Sequence, residues 1–169
     1  MNNKSSIKRI VAISLFLSLA ALISVRAEEA AVPEIVKVSE ESGPKGNRVI
    51  LYKHKAVTGM DSPGYVKKGF EHHFSLGFPV NYVEGGTQTY ALLVSLHGFG
   101  DTAKAYSQAM VRWFGDTPAI ILAPNDPLGS WFYGYSDQLP DGDPNKGVVV
   151  NYTERRILFY LKHVKAAYP

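Results

Sequence analysis

The chain has 169 residues, 46% of them hydrophobic and 20% charged, with 15 Gly, 10 Pro and no Cys. That composition excludes wholesale disorder, a collagen-like fibre and a multi-span membrane protein. The lack of Cys excludes disulfides, thiolate zinc sites, iron–sulfur clusters and a Cys nucleophile, and the length suits one domain at most.

The first 27 residues carry the order of a secretory signal peptide. Lys4, Lys8 and Arg9 open it, an apolar run from Ile10 to Ile23 follows, and Val25 and Ala27 stand at the −3 and −1 positions of a cut after Ala27. The run is short for a bilayer span, which favours cleavage over anchoring. Cleavage removes four of the 18 basic residues (Lys4, Lys8, Arg9, Arg26) and no acid. That leaves 14 basic against 15 acidic side chains, a mature net charge near −1. Nothing in the mature part reads as a nucleic-acid stripe, and no membrane association is expected after cleavage. Export without Cys fits a bacterial periplasm or exterior.

Residues 28–47 are acidic and broken by Pro33 and Pro44, which predicts a mobile arm. The domain proper is expected over 48–169. Arg48–Tyr52 is read as a short edge strand, and Gly59, Pro63 and Gly64 mark turns. Glu71–Phe78 and Tyr90–Leu96 are strands. The second lacks polar alternation, as expected where helices cover both faces of a sheet. Asp101–Phe114 reads as a helix whose inner face holds Ala103, Tyr106, Ala109, Met110, Trp113 and Phe114. Ala119–Ala123 is an apolar strand ended by Pro124. Residues 124–151 form a long loop, and Thr153–Ala167 a helix with an inner stripe of Ile157, Leu158, Leu161 and Val164. Arg155, Arg156, Lys162 and Lys165 lie mostly off that stripe. Strand, strand, helix, strand, loop, helix indicates an α/β sheet.

The stretch that carries chemistry is His97-Gly98-Phe99-Gly100-Asp101, set between an apolar strand and an amphipathic helix. Gly98 and Gly100 permit a tight turn and close backbone approach. Amides at a strand end and a helix start can converge on a cleft and stabilise a developing oxyanion.

With its flanking strands Tyr90–Leu96 and Ala119–Pro124, this stretch resembles the α/β-hydrolase family, in particular secreted esterases of the polyhydroxybutyrate-depolymerase and feruloyl-esterase type. The resemblance covers about residues 71–169 and implies an incomplete α/β-hydrolase sheet. It further implies that the Phe99 backbone N–H is an oxyanion donor, that Gly98 and Gly100 shape the loop, and that His97 is a structural member of it rather than the catalytic base. Trp131 fits the family's habit of placing aromatics near the substrate; the run Trp131-Phe132-Tyr133-Gly134-Tyr135 itself reads either as a substrate platform, with Trp131, Phe132 and Tyr133 as its candidates, or as a loop pinned to the core by its aromatics. The family's nucleophile stands in Gly-x-Ser-x-Gly after the fifth strand. Ser75, Ser95, Ser107, Ser130 and Ser136 all lack that context. The resemblance thus implies a fragment that holds the oxyanion loop without the triad and is inactive alone. Its strand Tyr90–Leu96 would be left as an apolar edge, which predicts poor solubility. The substrate expected of the complete protein is a carboxylic ester. A peptidase or other acyl hydrolase on the same fold stays open, as does an inert exported module that binds polysaccharide or polymer through the aromatic loop. No cofactor and no metal are implied, and the oligomeric state is left open.

Other constellations carry less. His72 and His73 point to opposite sides of a strand and cannot easily share a metal, so they are read as surface or half-buried residues. His54 and His163 are read as surface residues. Asp141-Gly-Asp143-Pro-Asn145-Lys-Gly147 resembles the start of a calcium loop. Its Gly falls one place late and its twelfth position is Tyr152, so it is read as a turn cluster. Asn151-Tyr-Thr153 matches a glycosylation sequon by chance.

Overall fold

The computed structural model describes residues 31–43, 46–98 and 100–168. The expected leader, 1–27, lies outside the described residues, and so does Phe99. Five strands form one mixed sheet: β1 (Val36–Ser42), β2 (Arg48–Lys55), β3 (Glu71–Phe78), β4 (Ala91–Val94) and β5 (Ala119–Pro124), in the order β1-β2-β3-β5-β4. The first four neighbours are antiparallel, with β2 against β3 from Arg48↔Phe78 to Lys55↔Glu71. The last pair, β4 and β5, is parallel from Ala91↔Ala119 to Val94↔Leu122. With the helices described next, this is an α/β architecture.

Two helices cover the two faces. Helix α2 (Ala103–Phe114; α1 is the short Pro63–Lys68) follows β4 and packs with Met110 and Val111 on Val49 and Ile121. Gly77 lets it approach, since a Cβ there would stand 2.5 Å from Val111 Cγ1. Helix α3 (Tyr152–Ala167) closes the other face, with Tyr160 and Val164 on Ile50, Phe74, Leu76, Phe78, Ile120 and Leu122. Phe74 stacks between Tyr52 and Tyr160 at ring-centroid distances of 5.2 and 4.3 Å. A hairpin, β6 (Tyr135–Ser136) with β7 (Val149–Val150), folds part of the long loop back, and Tyr135 joins Ala56, Tyr65 and Tyr152 in a third apolar cluster.

Several expectations are corrected. The acidic arm is not wholly loose: Val36–Ser42 is strand β1 and makes β2 an interior strand rather than an edge. Helix α1 occupies part of the stretch expected to hold turns, with Ser62 as its N-cap. Both long helices turn a different face inward. In α2 the buried residues are Ala103, Ser107, Met110 and Val111, while Trp113 and Phe114 are exposed. In α3 they are Tyr152, Thr153, Arg156, Tyr160 and Val164, and Leu158 is 54% exposed. The reason is polar pairing. The Ser107 hydroxyl meets Ser75 Oγ at 2.6 Å and Ser75 donates to Ala103 O, so a serine is at home inside. Arg156 is inside for the reason given below. His54 and His72 are likewise buried, not superficial.

The strand expected over Tyr90–Leu96 is shorter, Ala91–Val94, and lies at the sheet edge, with Leu93 and Leu96 substantially exposed. The expectation of two covered faces fails there. The opposite edge differs: β1 carries Lys37, Glu40 and Glu41 and a register irregularity between Lys37 and Ser39, the usual guards of a free edge.

Candidate functional site

Beyond β4, the Ser95 N–H still donates to Leu122 O (2.8 Å), which keeps the chain beside β5 before it turns away. His97 follows, buried, with the Phe132 ring edge-on at 5.1 Å. Its Nε2 receives the backbone N–H of Asp126 (3.1 Å). An amide can only donate, so Nε2 is the unprotonated nitrogen and Nδ1–H donates to Gly98 O (2.9 Å). Both ring nitrogens are therefore engaged with backbone. The imidazole ties the loop after β4 to the loop after β5 and keeps no free lone pair for general-base work.

Gly100 has φ +82°, a left-handed conformation that favours glycine. Gly98 is not in that region, and nothing lies within 4 Å of where its Cβ would be, so the space before it is open. The start of α2 is already occupied. Ala103 N–H donates to Asn125 Oδ1 (3.0 Å) and Ala105 N–H to Thr102 Oγ1 (3.2 Å). Those helix-start amides are thus unavailable to a ligand, contrary to the simplest reading of the strand–turn–helix pattern. The expected donor amide, that of Phe99, lies outside the described residues.

A cleft of about 240 Å³ opens before this turn. His97, Gly98, Gly100 and Asp101 line one side, and Asp126, Pro127, Gly129, Trp131 and Phe132 the other. Both walls follow the carboxyl ends of the parallel strands β4 and β5, where ligands enter open α/β sheets. Of the expected platform, Trp131 and Phe132 line the cleft. Tyr133 does not, and is exposed. Trp131 and Phe132 have φ of +53° and +62°, left-handed values that cost non-glycine residues energy. The Asp126 carboxylate holds the turn: Oδ1 accepts from Ser130 Oγ (3.0 Å) and Oδ2 from the Phe132 N–H (3.2 Å).

Behind the cleft lies a buried ionic cluster. Arg156, 1% exposed, sends NH1 to Asp61 Oδ1 (2.5 Å) and Met60 O (3.2 Å), and NH2 to Thr153 Oγ1 (3.0 Å). Asp61 also accepts from Tyr135 OH (3.0 Å) and the Val57 N–H (3.0 Å). Burial by itself would raise the Asp61 carboxyl, but His72, Arg156 and the Val57 amide outweigh it and hold the group below the ordinary carboxylate value. His72 Nε2 stands 2.8 Å from Asp61 Oδ1 at an angle poor for a hydrogen bond. Burial lowers His72, and it lowers His54 to about 4 against the pull of the Lys55 carbonyl on Nδ1–H. His54 is neutral at pH 7, and Arg156 is the permanently charged partner of Asp61. His54 Nε2 accepts from Tyr160 OH (2.8 Å), which completes a satisfied core histidine.

Among the described residues no group of three His, Cys, Asp or Glu could hold a metal ion, and no helix is long and apolar enough to cross a membrane. Among the described residues, the central serines offer no paired nucleophile. Ser75 and Ser107 are buried against each other, and the Ser130 hydroxyl is committed to Asp126 and Thr153.

Sequence reasoning singled out His97, Gly98, Gly100, Trp131 and Phe132, and the structure gathers these five around one cleft. It missed Asn125, Asp126, Ser130 and Thr153. One signal could have found the first two: a polar pair directly after an apolar parallel strand sits where such sheets present their ligand-facing loops. A comparison with models of known protein families gives no match, and a comparison with characterised protein sequences gives none either.

Proposed function

We propose that the chain is the oxyanion-loop portion of an exported carboxylic ester hydrolase of the α/β-hydrolase kind. The observation that carries this reading is the cleft at the carboxyl ends of β4 and β5, with Gly98 and Gly100 on one wall and Trp131 and Phe132 on the other. The order β2-β3-β5-β4, with only the last pair parallel, agrees with the antiparallel-then-parallel start of such a sheet. On this reading the cleft takes an ester, the turn between Gly98 and Gly100 faces its carbonyl oxygen, and Phe99 N–H is the donor. One such donor stabilises the transition state by about 3–4 kcal/mol, and only for an attack performed by another group. No serine of this chain stands in Gly-x-Ser-x-Gly, so the purified chain is expected to hydrolyse p-nitrophenyl acetate no faster than buffer. Turnover abolished by a serine-directed phosphonate would overturn that assignment of inactivity. Genomic DNA following the last codon supplies the second test. A frame encoding a further strand and Gly-x-Ser-x-Gly supports the hydrolase reading, and its absence favours the alternative.

That alternative is a non-catalytic exported module that holds polysaccharide or polymer. It is favoured by one observation, the 79% exposure of Trp131 at the cleft mouth. Peptidase chemistry on the same scaffold would use the same turn, and the choice between ester and amide is a property of the acyl-binding loops.

A further inference from the structure

The Trp131–Phe132 wall stands in a backbone conformation that two consecutive non-glycine residues keep only when their surroundings over-determine it. The surroundings do so through a chain of hydrogen bonds whose direction can be worked out atom by atom. A carboxylate only accepts, so the Ser130 hydroxyl hydrogen points to Asp126 Oδ1 (3.0 Å). Ser130 Oγ has then no hydrogen left for Thr153 Oγ1 at 2.8 Å and must accept from it. Thr153 Oγ1, having donated, accepts in turn from Arg156 NH2 (3.0 Å). Every hydrogen therefore points the same way, from a buried guanidinium towards a buried carboxylate, and such aligned bonds polarise and strengthen one another. The far end is anchored, since Arg156 NH1 is fixed by Asp61 and Met60 O. The near end is the cleft: the other Asp126 oxygen takes the Phe132 N–H (3.2 Å). The first turn of α3 adds a backbone tie, Glu154 N–H to Tyr133 O (3.1 Å).

We propose that Arg156, Thr153, Ser130 and Asp126 form a one-way hydrogen-bond relay that positions the Trp131–Phe132 wall of the cleft. Ser130 and Thr153 are positioning residues: they act on a ligand only through Asp126 and the wall it holds. The ligand-facing part of this inference rests on the cleft being the binding site proposed above. The relay itself does not.

The test compares Ser130→Ala, which cuts the relay, Thr153→Val, which cuts it one step further back, and Ser130→Thr, which restores a hydroxyl. Ser130 is only half-buried, so its truncation leaves the core untouched. The first readout is amide hydrogen exchange at Phe132, with the α2 amide of Met110 as reference. The second is the anisotropy decay of Trp131, isolated in a Trp113→Phe background. Loss of a hydrogen bond of ordinary strength accelerates exchange by about tenfold. Phe132 is expected to accelerate by about that factor over Met110 in both Ser130→Ala and Thr153→Val, with a faster anisotropy decay of Trp131. In Ser130→Thr it should stay within about twofold of the parent. A Phe132 amide unchanged in Ser130→Ala, or accelerated only in step with Met110, would overturn the proposal, because the residues would then serve global stability alone. Acceleration in Ser130→Ala but not in Thr153→Val would likewise end the relay at Ser130 and refute the link to Arg156. None of these measurements needs turnover, so a hydrolase reading that fails in the ester assay leaves the relay standing, and the reverse holds too.

Discussion

Replacing Arg156 by Met removes the counter-ion of Asp61 while keeping most of the volume of the side chain. The sequence pattern alone, which sets Arg156 among the solvated residues of its helix, predicts a surface substitution worth less than about 0.5 kcal/mol. The structure predicts something else. Asp61 is fully buried, and its carboxylate would keep the Tyr135 hydroxyl and the Val57 amide but lose its positive partner. Breaking one side of a buried pair costs about 3–5 kcal/mol. The hydrogen bonds to Met60 O and Thr153 Oγ1 go as well. Set against a total stability of about 5–15 kcal/mol for a domain, the loss is a large share of what holds the fold. Urea unfolding followed by circular dichroism reads it as a fall in the midpoint. The second variant makes the reasoning specific: Asp61→Asn in the Arg156→Met background removes the stranded charge and is expected to recover part of the loss. Strict additivity of the two substitutions, or a cost under 1 kcal/mol for Arg156→Met, would refute the buried-pair account.

Acid sensitivity follows from the same region. His54 titrates at about 4 in the fold against 6.5 when free, so the neutral ring is favoured inside. Its contribution is fully present above pH 6.5 and is lost as pH falls towards 4, by about 3 kcal/mol at 1.36 kcal/mol per pH unit. Asp61, held below its ordinary value, contributes in the same sense at still lower pH. Thermal melts from pH 7.5 to 4 should show a falling midpoint; a flat profile would contradict a neutral buried His54. At the unguarded sheet edge, Leu93→Lys is expected to reduce self-association of the purified chain in light scattering, at little cost in melting temperature, since Leu93 is 41% exposed. Equal scattering by parent and variant would show that β4 is not the sticking edge.

Much of the architecture was legible in the sequence because hydrophobic runs report burial directly. Glu71–Phe78 and Ala119–Pro124 are strands as their apolar character predicts, and the helix after Gly100 begins at the capping Thr102. His97, Gly98 and Gly100 were legible because glycines placed directly after an apolar strand permit a tight turn at the end of the sheet where ligand-facing loops lie. The inner faces of α2 and α3 were not. Hydropathy counts Ser107, Thr153 and Arg156 as solvent-facing and Trp113 and Leu158 as core, and the structure reverses all five. The acidic arm misled in the same way, because the pairing of β1 with β2 uses backbone groups that composition cannot see.

The chain's own order of residues determined which segments are strands and helices, where the glycine turn falls, and that no serine lies in a nucleophile-elbow motif. These are local properties, set by side-chain periodicity and by the backbone freedom of single residues. Only the tertiary structure decided which polar groups could go inside. A buried arginine or histidine is tolerable when a partner meets it, and the partners of Arg156 (Asp61 and Met60) lie 95 and 96 residues away along the chain. The cleft wall has the same origin, since Trp131 and Phe132 keep their left-handed backbone through an aspartate and a serine that a helix from the other end of the loop holds in place.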